Sequence, residues 1–152
     1  MPKASVKRLI ECEKNDLIDL VLDIEKYPEF VPFCFDAKIY ENKKEDGLIK
    51  IIADLTIGKG PFKDTYKSDV VFNKKKDSIF VKNIDGPLNH LSNNWTFFDK
   101  KNGITEVTFD IDFEIKNKFL NSLMIVSFQF GLEKIADAFQ KRAEELFSHS
   151  ND

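Results

Sequence analysis

The sequence contains few of the residues that commonly build catalytic or metal centres. Its 152 residues include two histidines, two cysteines and one tryptophan. His90 and His149 have no second histidine or cysteine at a ligand spacing, so we expect no metal site. Glycine loops that bind phosphate and the GxSxG motif of serine hydrolases are also absent. Asp110, Asp112 and Glu114 alternate with apolar residues, which indicates a solvated strand face rather than an acid–base centre.

Long apolar runs and a large excess of one charge are missing as well. The longest uncharged apolar run, Phe119 to Leu132, is shorter than the ~20 residues that a membrane-spanning helix needs. A net charge of −3 gives no general argument for nucleic-acid binding. The first strand pattern begins close to Met1, so we expect no signal or transit peptide, and Cys12 and Cys34 do not resemble a secreted disulfide scaffold. We therefore expect a cytoplasmic protein with reduced thiols.

The order of the sequence patterns predicts one α+β domain over residues 1–152. A first strand, Ser5–Glu13, precedes a short helix at Leu17–Ile24, which Asn15 or Asp16 can cap. Two prolines, at positions 28 and 32, then permit only a short helix or a pair of turns. The following apolar residues mostly alternate between polar turns, which predicts about six antiparallel strands. These are Ala37–Asn42, Leu48–Ile57, Phe62–Asn73, Ser78–Ile84, Leu91–Asp99 and Thr105–Ile115.

A long amphipathic helix is predicted from Asn117 to Ser148, because its apolar residues follow the 3.6-residue period. A curved sheet wrapped around this helix is the natural way to bury it. The uncharged half of the helix, Phe119 to Leu132, is apolar on two sides. The sheet can bury one side, whereas the other has no partner within a single domain and is expected to meet a membrane or a partner. This second band consists of Phe119, Leu123, Val126 and Phe130.

Three predicted turns are rich in lysine. They contain Lys43-Lys44, Lys74-Lys75-Lys76 and Lys100-Lys101. Lysines at the tips of hairpins commonly serve solubility alone. If the three turns lie near one another, they form a positive edge that is able to contact the phosphates of lipid or of ribosomal RNA.

Five stretches of the chain, taken together and in order, resemble one known family. They are Tyr27-Pro28-Glu29-Phe30-Val31-Pro32-Phe33-Cys34, Asp85-Gly86-Pro87, Asn94-Trp95-Thr96-Phe97, Phe109-Asp110-Ile111-Asp112-Phe113-Glu114 and Ala138-Phe139-Gln140-Lys141-Arg142-Ala143. The whole chain resembles the coenzyme Q-binding START-domain family, also called the ribosome association toxin (RatA) family, of the polyketide cyclase-like (SRPBCC) superfamily. Phe33, Leu88 and Gln129 stand where this family usually has Trp, Phe and often Glu.

This resemblance implies a helix-grip fold with a lipid-sized cavity between the curved sheet and the long helix. It also implies non-enzymatic binding of ubiquinone or a related isoprenoid lipid in support of respiratory electron transport, with no required cofactor. Peripheral contact with the inner membrane and a homodimer are further expectations. Some members are described as inhibitors of ribosomal subunit association, so binding to the large ribosomal subunit is the alternative. Cyclase or dehydratase chemistry on an aromatic polyketide is the third hypothesis.

The expected ligand cavity combines bulky rings with a few uncharged polar groups. Asn93 or Tyr66 is expected to hydrogen-bond a quinone carbonyl, with Ser68 as another polar candidate. Phe30 and Phe33 are expected at the mouth. For every aromatic residue, plain core packing is the competing interpretation. The predicted lining residues are Tyr27, Phe30, Phe33, Tyr66, Asn93, Trp95, Phe97, Phe109, Phe113, Leu120, Met124, Ser127, Phe128 and Gly131.

Overall fold

The protein folds into seven antiparallel strands and a long C-terminal helix. The computed structural model describes residues 3–59, 62–85, 88–116 and 118–147, with side chains except at 59, 62, 85, 88, 89, 115 and 119–128. The described elements are β1 Lys3–Ile10, α1 Lys14–Leu22, a 3-10 helix at Ile24–Glu29, β2 Cys34–Glu45, β3 Leu48–Lys59, β4 Phe62–Asn73, β5 Ser78–Asp85, β6 Leu88–Asp99, β7 Thr105–Ile115 and α2 Lys118–Phe147.

The predicted α+β architecture is confirmed. The strands form one curved sheet in the order β1-β7-β6-β5-β4-β3-β2, with every neighbouring pair antiparallel. Each pair of strands that is consecutive from β2 to β7 forms a hairpin, while β1 closes the sheet against β7. The short helix expected from the two prolines is the 3-10 helix, which contains Pro28 and ends before Phe30.

The predicted cap of α1 is wrong. The helix begins at Lys14, and Glu13 before it has an extended backbone and makes no side-chain cap. The Leu17 N–H donates to the Glu13 carbonyl at 3.0 Å, so both predicted caps lie inside the first turn. Asp16 there favours the helix through the positive end of the helix dipole instead.

Several strand boundaries differ from the sequence pattern by one to three residues; β6, for example, begins at Leu88 rather than Leu91. Two of the differences have local reasons. β1 ends at Ile10 because the Cys12 N–H turns back to the Ile10 carbonyl at 2.9 Å. β2 continues to Glu45, which places Lys43 and Lys44 on the strand rather than in a turn. The turn itself is Asp46-Gly47, with φ values of 42° and 81°, the left-handed pair that closes a two-residue hairpin.

Side chains of neighbouring helices cover both edges of the sheet. On the β1 edge, Gln129 Nε2 donates to the Ser5 carbonyl at 3.4 Å, and Gln140 Nε2 donates to the Leu9 carbonyl at 3.2 Å. On the β2 edge, the Ile39 N–H donates to Glu25 of the 3-10 helix at 2.9 Å. These bonds occupy backbone groups that could otherwise pair with another chain.

The concave face of the sheet carries the core. Its main cluster packs α1 and the C-terminal half of α2 against the sheet, with Leu132, Phe139 and Ala143 buried on α2. A second, smaller cluster contains Leu91 and Phe113, with Tyr66 and Ile111 packed against it. Between the two clusters, polar side chains interrupt the apolar face.

Candidate functional site

Three polar residues on adjacent strands form a line on the concave face, here called the polar row: Ser68, Asn83 and Asn93. Strand pairing places Ser68 on β4 opposite Asn83 on β5, and Asn93 on β6 opposite Val81 of β5. Alternation with buried residues, such as Val70 beside Ser68, directs all three toward α2. The sheet therefore presents uncharged polar groups at the boundary of its two apolar clusters.

Two atoms of the polar row are buried without a partner. Ser68 is 0% exposed, and its Oγ lies near the Tyr66 phenol without a hydrogen bond of good geometry to it or to any other described residue. The Oδ1 atom of Asn93 is likewise buried and unpaired within that part of the chain. Because an unpaired buried polar atom costs about 1–3 kcal/mol, such atoms identify a place where water or a ligand completes the hydrogen bonds.

Asn83, in contrast, uses its side chain to extend the hydrogen bonding between two strands. Its Oδ1 accepts the Leu91 N–H at 2.8 Å, just beyond Lys82↔Ser92, the last described pair of the β5–β6 ladder. Asn83 was not among the site residues predicted from the sequence. Its alternation with Ile79 and Val81 is the sequence signal that could have placed it on the inner face.

Tyr66 lies two residues before Ser68 on the same strand face. Burial raises the pKa of the Tyr66 phenol to about 12, and the nearby Ser68 hydroxyl offsets part of that rise. The phenol is therefore neutral at physiological pH and keeps its proton for donation. It packs against Leu91 and Phe113, next to the polar row.

The segment that leads into β2 brings Phe33 against the long helix. Phe33 has a φ of 69°, and its carbonyl accepts the Gly58 N–H at 2.9 Å. A Cβ atom at Gly131 of α2 would lie 3.9 Å from Cε2 of the Phe33 ring, so the ring is adjacent to the glycine. The left-handed conformation is uncommon for a bulky residue and occurs often at ligand-binding segments.

The predicted mouth residue Phe30 is half-buried and packs into an aromatic cluster. Its ring centroid lies 5.2 Å from that of Phe139 in an edge-to-face arrangement. The ring centroid of Tyr27 lies 5.3 Å from that of Phe139. Trp95 contacts Phe139 at 5.1 Å and Phe109 at 4.3 Å between ring centroids. The Tyr27 hydroxyl donates to the Val21 carbonyl, and burial raises the pKa of this phenol. These contacts hold the C-terminal half of α2 on the sheet.

The remaining predicted lining residues divide into two groups. Phe97 and Phe113 are buried, in the main and the second cluster respectively, and Gly131 is half-buried beside Phe33. The side chains of Leu120, Met124, Ser127 and Phe128 lie outside the described part of the structure, as does the Gly86-Pro87 break. Whether the predicted lining residues touch a ligand stays a prediction.

The second apolar band of α2 is described only at its last residue. Phe130 is 63% exposed, and the Lys134 amino group lies 4.6 Å from its ring centroid. The side chains of Phe119, Leu123 and Val126 are not among those described. At its described end, this band therefore faces outward.

The three lysine-rich segments lie at one end of the sheet, although Lys43 and Lys44 are near the end of β2 rather than in a turn. The Lys74 N–H donates to the Gly47 carbonyl at 2.9 Å, which joins the first two turns directly. Carboxylates are interspersed with the lysines, however. Asp77 pairs with Lys14 at 3.0 Å, and Lys100 pairs with Glu106 at 3.4 Å. The end is rich in charge of both signs rather than uniformly positive.

A small cavity lies between β1 and α2, beside Arg8. It encloses about 20 Å³ and is lined by Val6, Arg8, Ile10, Leu17, Trp95, Val107, Phe109, Ile135, Ala136 and Phe139. The Arg8 Nε atom is buried there without a hydrogen-bond partner in the described chain. This space suits one water molecule rather than a lipid.

The described residues contain no cluster of three or more side chains able to hold a metal ion. Cys12 and Cys34 are both free thiols. None of the described helices combines the length and apolarity that a membrane crossing requires. His90 lies on the outer face of the sheet, 3.7 Å from Asp112, and His149 lies outside the described residues.

Sequence comparison identifies a matching family and two similar proteins. The profile of the polyketide cyclase / dehydrase and lipid transport family matches residues 12–140. "Ribosome association toxin RatA" of Rickettsia prowazekii is 30% identical over 142 residues, covering 91% of this chain and 94% of that protein. "Coenzyme Q-binding protein COQ10, mitochondrial" of Dictyostelium discoideum is 30% identical over 141 residues, covering 90% of this chain and 66% of that protein.

Structural comparison agrees with the sequence relatives. The solution structure of the 18 kDa protein CC1736 from Caulobacter crescentus superposes with a TM-score of 0.79 at 25% identity. The match covers 96% of this chain and 98% of that one, so it includes the sheet and both helices.

Proposed function

The chain belongs to the polyketide cyclase / dehydrase and lipid transport family, and from that premise we propose that it binds ubiquinone or a related isoprenoid lipid between the concave face and α2. The binding is non-covalent and supports respiratory electron transport. No catalytic step is part of this proposal.

The polar row carries this proposal. Ser68 Oγ and Asn93 Oδ1 are buried, uncharged and unpaired within the described residues, and apolar side chains surround them. A ligand suited to this environment is neutral, mostly apolar and equipped with one or two hydrogen-bonding oxygens. A quinone ring with an isoprenoid tail has these properties. Burial of the tail contributes ~0.8 kcal/mol per methylene, which makes an enclosing protein necessary in water.

Binding explains the described site better than cyclase chemistry does. General acid–base catalysis needs a group whose pKa lies near the working pH. Tyr66 is the titratable side chain beside the polar row, and burial raises its pKa to about 12. The described histidine, His90, is on the opposite face of the sheet. The polar groups that remain hold a ligand well but transfer protons poorly.

Phe130 and the neighbouring Lys134 support loading from a membrane surface. The exposed Phe130 ring has the Lys134 amino group 4.6 Å from its centroid. An apolar ring beside a cation suits the interface of an anionic bilayer, where the ring enters the headgroup layer. A long isoprenoid tail would then pass to and from the protein without crossing water.

The test uses the single tryptophan. Trp95 lies two residues from Asn93 on the same strand face, so a quinone bound at the polar row should quench its fluorescence. We expect saturable quenching by a short-chain ubiquinone, together with ubiquinone in organic extracts of protein made in a ubiquinone-containing host. Absence of both would overturn the proposal. Salt-sensitive co-sedimentation with large ribosomal subunits under the same conditions would then favour the alternative function.

Two matched variants locate the binding site. Ser68→Ala removes an unpaired buried hydroxyl and should weaken quinone binding about tenfold. Thr105→Val removes another fully buried hydroxyl, one that donates to the Cys12 carbonyl at 2.7 Å and lies at the turn end of β7. It should leave the dissociation constant unchanged. Equal effects of the two variants would place the ligand away from the polar row.

A further inference from the structure

We infer that Phe33 is the gate of the lipid site: its ring lies against Gly131 of α2 at the open end of the concave face, and a ligand enters or leaves when the ring moves off that glycine. This inference rests on the proposed function and names the route and the residue that control exchange at its site. Phe33 therefore determines how fast the ligand exchanges rather than how tightly it binds.

The exposure of the inner side chains locates this open end. Along the inner side of β3, Ala53 is 0% exposed, Leu55 is half-buried and Ile57 is 37% exposed. Their neighbours on β4 follow the same order, because Ser68 opposite Ala53 is fully buried and Tyr66 opposite Leu55 is half-buried. Alternation along each strand directs all five side chains to the concave face. That face therefore opens to solvent toward the end of β3, and the polar row lies on its closed side.

Phe33 lies at this open end. Its carbonyl accepts the Gly58 N–H at 2.9 Å, and the next residue, Cys34, pairs with Ile57 in the β2–β3 ladder. A Cβ atom at Gly131 would lie 3.9 Å from Cε2 of the Phe33 ring. The backbone of Phe33 is thus attached to the sheet while its ring reaches the helix, at the point where the inner face meets solvent.

Two features allow the ring to move. Phe33 is half-buried, and it meets α2 at a glycine, which has no side chain to interlock with the ring. Its φ of 69° lies in the left-handed region, which a bulky residue adopts only at a cost in free energy. A change to an extended backbone relieves this cost and offsets part of the contact that is lost when the ring leaves Gly131. The free-energy difference between the closed and open positions is thereby reduced.

A gate has a kinetic signature that a ligand contact lacks. Segments that close a site commonly limit how fast ligands enter and leave it. Removal of the Phe33 ring opens the route in both directions, so association and dissociation should accelerate by the same factor. The dissociation constant, which is the ratio of the two rate constants, should stay nearly unchanged. Loss of a residue that only contacts the ligand would instead accelerate dissociation alone.

Stopped-flow fluorescence of Trp95 measures both rate constants for a short-chain ubiquinone and the full-length protein. We expect Phe33→Ala to raise each rate constant about tenfold and to change the dissociation constant by less than about threefold. Gly131→Ala places a methyl group in ordinary van der Waals contact with the closed ring and should lower both rate constants severalfold. Because alanine also favours the helix, Gly131→Ala decides the question if Phe33→Ala fails to fold.

Phe35→Ala is the matched control. Phe35 follows Phe33 by two residues, is 47% exposed, and has the Lys63 amino group 4.0 Å from its ring centroid. Its loss should leave both rate constants unchanged.

Unchanged rate constants in Phe33→Ala and Gly131→Ala, or an equal acceleration by Phe35→Ala, would overturn the inference while the proposed function stands. Faster dissociation alone in Phe33→Ala would also overturn it, because Phe33 would then be a ligand contact. Absence of ubiquinone binding by the wild-type protein would overturn both the inference and the proposed function.

Discussion

The guanidinium of Arg142 on α2 pairs with the Glu29 carboxylate at 3.0 Å and covers the Phe30 ring, 5.1 Å from its centroid. Glu29 is the last residue of the 3-10 helix and Phe30 follows it, whereas Arg142 is near the end of α2. The two stretches that the sequence singled out therefore dock on each other. Their shared role is to hold the end of α2 against the sheet.

Arg142→Ala should lower the free energy of unfolding by about 1–2 kcal/mol, because it removes the ion pair and uncovers Phe30. Glu29→Gln should cost less than about 0.5 kcal/mol, since Glu29 is half exposed and the stacked guanidinium stays in place. Urea unfolding measures both. Equal losses in the two variants would mean that the charge pair, rather than the ring contact, is what stabilises this junction.

Two buried hydroxyls should differ in their contribution to stability. Thr105→Val leaves the Cys12 carbonyl without its 2.7 Å hydrogen bond and should cost about 1–3 kcal/mol. Ser68→Ala removes a hydroxyl with no partner in the described chain and should change stability by less than about 0.5 kcal/mol. Thermal unfolding of the ligand-free protein checks this. A large loss for Ser68→Ala would show that the hydroxyl is satisfied within the fold.

Gln129 stands where the family often has Glu, and the substitution Gln129→Glu tests what this difference does. Gln129→Glu cannot donate to the Ser5 carbonyl and should cost about 0.5–1 kcal/mol. Gln140→Glu should cost more, because it also places a carboxylate beside Glu144, whose oxygen lies 3.5 Å from the present amide. The midpoints of denaturant unfolding rank the two variants by stability. An unchanged midpoint for Gln129→Glu would indicate that water serves the β1 edge equally well.

The raised pKa values of the two thiols predict how the stability of the protein depends on pH. Burial raises the pKa of Cys34 to about 11 and that of Cys12 to about 12, above the ordinary value of 9.0. A raised pKa means that the folded state holds the proton more tightly than the unfolded state does. This contribution is complete below pH 9 and is lost as the pH rises through 11 to 12. Cys34→Ser should lessen the loss of stability between pH 9 and 11, as thermal unfolding across that range would reveal.

Phe130→Asp tests the exposed end of the second apolar band. Because the side chain is 63% exposed, the free energy of unfolding should change by less than about 0.5 kcal/mol. Binding to vesicles that contain anionic lipid should fall severalfold, since the ring and its neighbouring cation both lose their role. Leu9→Asp, at another exposed apolar residue, serves as the control and should leave vesicle binding unchanged. Unaltered binding of Phe130→Asp would remove this band from the proposed membrane contact.

Much of the fold could be predicted because its signals are local. The alternation of Val107, Phe109, Ile111 and Phe113 placed β7, and the 3.6-residue period placed α2, each within one or two residues. The inner faces of β4 and β6 followed from the same alternation. Local signals were less reliable at the start of α1. The sequence offered two caps, but the helix begins at Lys14, whose side chain pairs with Asp77 before β5 and with Asp99 at the end of β6.

The amino-acid sequence by itself determined which residues face inward, because side-chain direction in strands and helices depends only on near neighbours along the chain. Only the tertiary structure decided what those residues do there. Asn83, Asn93 and Thr105 are similar polar residues in similar strands, yet the first accepts the Leu91 N–H, the last donates to the Cys12 carbonyl, and Asn93 leaves an acceptor unpaired. Strand register and the curvature of the sheet place the partners of each group, and those partners come from residues as far apart as Cys12 and Thr105.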